Sequence, residues 1–104
     1  MKPHNLYLSP AALKEIDQVP GHVRQRVRRA ILALRTDPFP PTSKRLTVEL
    51  TRRREGWRFR IDRWRIVYVM DPANQQILVI AVRQRPPYQY EDLGTLLSEL
   101  DSLD

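Results

Sequence analysis

Residues 57–68 read WRFRIDRWRIVY, and along them large apolar side chains take turns with arginines. Successive side chains of a strand point to opposite sides, so alternation of this length marks a strand pair with one apolar and one basic face. A turn at Asp62-Arg63 divides the stretch. Folding about that turn sets Ile61 opposite Trp64, Phe59 opposite Ile66 and Trp57 opposite Tyr68, so these large side chains share one face. The other face receives Arg58, Arg60 and Arg65, with Val67 and Val69 on the same parity. Arg60 and Arg65 then face each other directly, which costs roughly a few tenths of a kcal/mol or more. Two readings stand: a solvated sheet face, or a surface whose arginines are held for a polyanion. Val67 and Val69 need cover, which speaks against a fully wet face. Asp-Arg is a weaker turn pair than Asn-Gly, and a bulge of one residue there exchanges the two faces.

Working upstream, residues 5–8 form a candidate first strand, and Ser9-Pro10 supplies an N-cap followed by proline at the first helical position. A helix over 10–18 turns Leu13 and Ile16 inward and Lys14, Glu15 and Asp17 outward, and Pro20-Gly21 ends it. Over 22–35, Val23, Val27, Ala30, Ile31 and Leu34 make one helical stripe, the longest in the chain. Arg24, Arg26, Arg28, Arg29 and Arg35 cover the rest of that helix, a solvated face in preference to a nucleic-acid contact. The two helices make a hairpin laid on one sheet face. Residues 37–41, DPFPP, form a loop in which Phe39 anchors to the core, and residues 44–50 form a strand with Leu46, Val48 and Leu50 on one parity.

Downstream, residues 71–75, DPANQ, form a second turn. Residues 77–82 are apolar on both parities, as in an inner strand covered on both sides. Arg83 and Arg85 continue that strand, Pro86-Pro87 stops the pairing, and Tyr88 and Tyr90 follow in an extended segment. Leu93, Leu96, Leu97 and Leu100 at helical spacing predict a short C-terminal helix over 91–103. The fold class is α+β: an N-terminal strand and helical hairpin packed on one antiparallel sheet of three to four strands, with a short C-terminal helix.

The 104 residues fit one domain, 1–104, with one modest core. Lys and Arg number 18 against 12 Asp and Glu, but residues 91–104 hold five acids and no base, so residues 1–90 carry +11. Arginine supplies 15 of the 18 cations, and its planar fork suits phosphate oxygens. A polyanionic partner follows, nucleic acid ahead of membrane. The absence of cysteine excludes disulfides and thiolate chemistry, and His4 and His22 are too few and too far apart in sequence for a metal site. No cofactor is implied. No apolar run approaches the roughly 20 residues of a membrane span, and the N-terminus lacks the apolar core of a signal peptide, so a cytoplasmic location is expected.

Four stretches, LYLSPAALKEIDQVP, RVRRAILALRTDPFP, WRFRIDRWRIVYVMD and ILVIAVRQRPPYQY, resemble in order and spacing the RelE/ParE superfamily of bacterial toxins over nearly the whole chain. The resemblance implies a RelE-like fold and a toxin of a type II toxin-antitoxin pair, held inactive by a cognate acidic antitoxin. Carried over residue by residue, it implies a site of Arg58, Arg60, Arg65 and Arg85, completed by Tyr88 or Tyr90, with Arg83 alongside on the RNA. The implied activity is ribosome-dependent cleavage of mRNA, a metal-independent attack of a ribose 2′-hydroxyl on the adjacent phosphate that stops translation. RelE-like ribonucleases often have lysine at the WRFR positions. Arginine does not give up its proton, so no base is evident: Tyr88 or Tyr90 either serves as one or only stacks on a nucleobase, and Glu49 and Glu55 are further candidates that also suit a salt bridge or a loop tip. The same resemblance leaves open a ParE-like inhibitor that stops DNA gyrase by binding, and a degenerate member that keeps only antitoxin binding. Replacing Arg65 or Arg85 by alanine is expected to abolish toxicity at little cost in stability, as for exposed side chains.

Overall fold

The computed structural model describes residues 3–46 and 55–84. Ser9 decides how the N-terminal part meets the sheet. It follows strand β1 (Asn5–Leu8) and caps helix α1 (Pro10–Asp17), its Oγ accepting from the Ala12 N–H at 3.0 Å. The same hydroxyl donates to the Ile80 carbonyl at 3.3 Å, and the Ser9 N–H donates to the Val79 carbonyl at 3.0 Å. One buried residue therefore starts the helix and fastens it to the strand that lies beside β1.

Helix α2 (Gly21–Ala33) follows at once, with Pro20 as its N-cap. Arg24 staples the two helices together, donating to the Val19 carbonyl at 3.1 Å and to the Asp17 carbonyl at 3.2 Å. These are carbonyls that the end of α1 leaves without helical partners. Val23, Val27, Ile31 and Leu34 form the buried stripe that the spacing predicts. In α1 the inward residues are Ala12 and Ile16, and Leu13 is 50% exposed, contrary to the expectation that it packs inward. The buried stripe is Ala12, Ile16 and Val19, and Leu13 lies about 100° further round the helix from Ala12.

The sheet has five strands in the order β1-β5-β4-β3-β2, with β2 (Lys44–Arg45), β3 (Glu55–Ile61), β4 (Trp64–Asp71) and β5 (Gln76–Gln84). The expected three or four antiparallel strands are corrected to a mixed sheet of five, because β1 joins the same sheet in parallel with β5. The β3–β4 hairpin has the register derived from its alternation: Ile61 opposite Trp64, Phe59 opposite Ile66, Trp57 opposite Tyr68 and Arg60 opposite Arg65. Its two-residue turn is made possible by Asp62, which takes a left-handed φ of 52° that an aspartate tolerates better than most residues, and Arg26 holds its carboxylate at 2.6 Å. The irregularity falls instead between β4 and β5, where Val67 pairs with Ala81 and Tyr68 with Val79, leaving Ile80 as an extra residue. That bulge sends Ile77, Val79 and Val82 to the helices and Ile80 and Ala81 together to the opposite face.

The larger core lies between the helices and the sheet, built on Phe59, Ile66, Tyr68, Ile77 and Val79 against Ile16, Val27 and Ile31. Tyr68 runs through it and donates to the Pro38 carbonyl, which ties the DPFPP loop to the core, whereas Phe39, expected to anchor in the core, is 46% exposed and meets the rim residue Trp57 at a tilt of 57°, ring centroids 4.7 Å apart. Val67, Val69, Ile80 and Ala81 form a smaller core on the opposite face, where Val67 and Val69 find the cover they need. The predicted strand over 44–50 is described only at its start, and the predicted C-terminal helix over 91–103 lies outside the described residues.

Candidate nucleic-acid interface

The face of the sheet turned away from the helices is basic at one end. Cα partners across antiparallel strands share a face, and Arg60 pairs with Arg65 while Arg65 pairs with Arg83. Three arginines thus stand in one row across β3, β4 and β5, on strands about 4.8 Å apart. On the next rung Lys44 of β2 pairs with Arg58 of β3, followed by Val67 and Ala81. Five cations therefore share the face. Lys44 was not singled out from the sequence, because its register with Arg58 depends on how the chain returns after residues 47–54.

Their surroundings differ. Arg60 is exposed, and its backbone is bracketed by the Thr42 hydroxyl at 3.4 Å on both its N–H and its C=O. Arg58 is half-buried. Among the described residues no carboxylate lies within salt-bridge distance of either side chain. Arg65 is only 8% exposed, beside the smaller core, so the expectation that it behaves as an exposed side chain is corrected. Arg83 is also mostly buried, and its Nε donates to Glu15 Oε2 at 3.2 Å. Glu15 is therefore not the solvated helix-face acid that its position in α1 suggests. Nothing in a run of alternating helix charges marks the one that meets a strand edge.

Among the acids considered as a base, Glu55 shares the parity of Trp57, accepts from its indole Nε1 at 3.5 Å and pairs with Arg45 at 3.8 Å, away from the arginine row. Glu49, Arg85, Tyr88 and Tyr90 lie outside the described residues. Tyr68 is no substitute: it faces the helices, and burial holds its hydroxyl well above the ordinary tyrosine range. Among the described residues no cluster of three His, Asp or Glu side chains offers a metal site, and no helix is long and apolar enough to cross a membrane. Chemically, several guanidinium forks in a row beside a dry patch can hold phosphate oxygens and the charge that develops on them in a displacement, because the neighbouring low dielectric strengthens each contact.

A helical hairpin on one side of a mixed sheet, with cations gathered on the other, defines a small RelE-like α+β domain. The archaeal RelE of a RelE–RelB complex from Pyrococcus horikoshii superposes with a TM-score of 0.71 at 16% identity, covering 83% of this chain and 99% of that one. The toxin-antitoxin complex RelBE2 from Mycobacterium tuberculosis gives 0.66 at 19% identity, over 80% and 99%. The isolated E. coli RelE toxin gives 0.60 at 18% identity, over 93% and 98%. At these identities the likeness is one of fold. Residues 6–86 match the model of the ParE toxin of type II toxin-antitoxin systems, parDE, and the chain belongs to that family, within the RelE/ParE superfamily. It is a toxin of a type II toxin-antitoxin system. A search of curated proteins found no match.

Proposed function

We propose that this toxin stops translation by cleaving mRNA on the ribosome, with the arginine face as the surface that holds the scissile phosphodiester. The observation that supports it is the row Arg60, Arg65, Arg83, with Arg58 and Lys44 on the adjoining rung. Like charges directly opposite one another destabilise a sheet, so a row of three has a use outside the fold. Arg58, Arg60, Arg65, Arg83 and Arg85 bind the phosphate and stabilise its developing charge, and Tyr88 or Tyr90 takes an unstacked base or the 2′-hydroxyl proton. Arginines do not act as bases, so cleavage of naked RNA is slow or absent, and the ribosome brings the substrate near attack geometry. The partner that silences the toxin is a cognate antitoxin with an acidic segment that covers this face, and its association rate falls steeply as salt is raised.

The family match favours a second reading, a ParE-like toxin that stops DNA gyrase by binding and needs no base. Induction without antitoxin separates the two, with transcript ends mapped beside labelled amino-acid and thymidine incorporation. Cuts within translated codons and early loss of protein synthesis support RNA cleavage. Intact transcripts with DNA synthesis stopping first overturn it in favour of gyrase. Absence of any growth effect from folded protein leaves a degenerate member that only binds antitoxin.

A further inference from the structure

We infer that Glu15 is a positioning residue for Arg83, so that an acid on helix α1 belongs to the working arginine face. The inference rests on the proposed reading of that face as a phosphate-binding surface. Pairing of β1 with β5 ends at Leu8 opposite Val79, so beyond Val79 no strand among the described residues lies along the outer edge of β5. Helix α1 takes that place. Ser9 bonds the carbonyls of Val79 and Ile80, and further along the helix Glu15 turns its carboxylate to the same edge. Oε1 accepts from the Val82 N–H at 3.2 Å and Oε2 from the Arg83 Nε–H at 3.2 Å. One carboxylate therefore fixes both the backbone of β5 and the guanidinium of the next residue. The two side chains are only 19% and 26% exposed, so water competes weakly for this charge-assisted bond.

The chemistry points the same way. A long side chain standing one strand from Arg65 and two from Arg60 in the same row is pushed outward by their charge. Glu15 counters this by holding Arg83 at Nε, the edge nearest the chain. An acid at this place lowers the positive charge of the face, which a surface built only for attraction would not retain. Edge capping alone does not require the charge either, because a glutamine carbonyl accepts from the Val82 N–H equally well. What glutamate adds over glutamine is the second acceptor facing Arg83.

The test uses the intact chain, its E15Q and R83A variants and the double variant, with a short single-stranded RNA oligonucleotide as probe in fluorescence titrations. E15Q is expected to weaken binding about tenfold, the order of one charge-assisted hydrogen bond, although it makes the protein more positive. In the R83A background E15Q changes nothing further, and in wild-type NMR spectra the Arg83 Nε–H signal shifts and exchanges faster once Glu15 is replaced. E15D keeps the charge on a shorter arm and serves as a second variant, with loss in the same direction. Unchanged or tighter RNA binding by E15Q beside a weakened R83A overturns the role of Glu15 alone, as does an E15Q effect that persists without Arg83. RNA affinity unchanged in R83A overturns this role, and if Arg58→Ala and Arg60→Ala are also silent, the functional reading falls with it.

Discussion

The two faces of the central strand β4 are both dry, yet they are built differently. Toward the helices Ile66, Tyr68 and Met70 are apolar side chains locked among others of their kind. On the other side Val67 and Val69 are as completely buried, but Arg65, one residue pair nearer the turn, carries a charge. Burial therefore does not separate core from site in this molecule; the run from apolar to basic along one face does. A charge at the edge of an apolar patch feels a lower dielectric than one on an open surface, so its pull on a phosphate is stronger, and so is its cost when unmatched.

This contrast can be broken by substitution. Ile66→Ala opens a cavity in the helix-side core and should lose about 2–5 kcal/mol in urea unfolding, the largest effect expected. A loss below about 1 kcal/mol would place that face among loosely packed surfaces. Arg65→Ala should cost about 1–3 kcal/mol, because a buried charge has its surroundings arranged for it, and should also abolish growth arrest. Thermal melting that matches wild type would make Arg65 an ordinary surface residue.

Ser9→Ala should cost about 1 kcal/mol from the lost cap and the lost bond to Ile80. Its toxicity per folded molecule should stay unchanged. The buried hydroxyl of Tyr68 sets the alkaline limit. Its folded pKa lies above the ordinary 10.0, so its contribution is fully present below pH 10 and is lost as pH rises beyond it; Tyr68→Phe should flatten that decline in melting temperature. A slope that the phenylalanine variant retains would assign the decline to other groups. Smallest is Arg60→Ala, exposed and opposite Arg65: stability should stay within about 0.5 kcal/mol of wild type, with any change toward greater stability, while RNA binding falls. A marked loss of stability would show that the row serves the fold.

What was legible in the sequence followed from periods. The hairpin register came from strict alternation about a two-residue turn, and the stripe of α2 from helical spacing. The partner of β1 was not legible, because Ser9 meets Ile80 across 71 positions and leaves no local mark on either. Leu13 misled because α1 spans only eight residues, too few for the spacing to choose between Ala12 and its larger neighbour. Of the proposed site, Arg58, Arg60 and Arg65 were placed on one face by alternation alone. Lys44 and Glu15 join them through contacts between elements, which no periodicity announces.

The strand that completes the row is also among the last to be made. β5 stands between β1 and β4, so residues 1–75 leave the ribosome without the element that joins the N-terminal strand and α1 to the hairpin. At about 5–20 residues per second, the nine residues of β5 take about 0.5–2 seconds to add. Until then Arg60 and Arg65 already exist but Arg83 does not, and Ser9 and Glu15 have nothing to bind. A chain that stops before β5 therefore lacks Arg83 and both of the attachments that hold α1 to that strand.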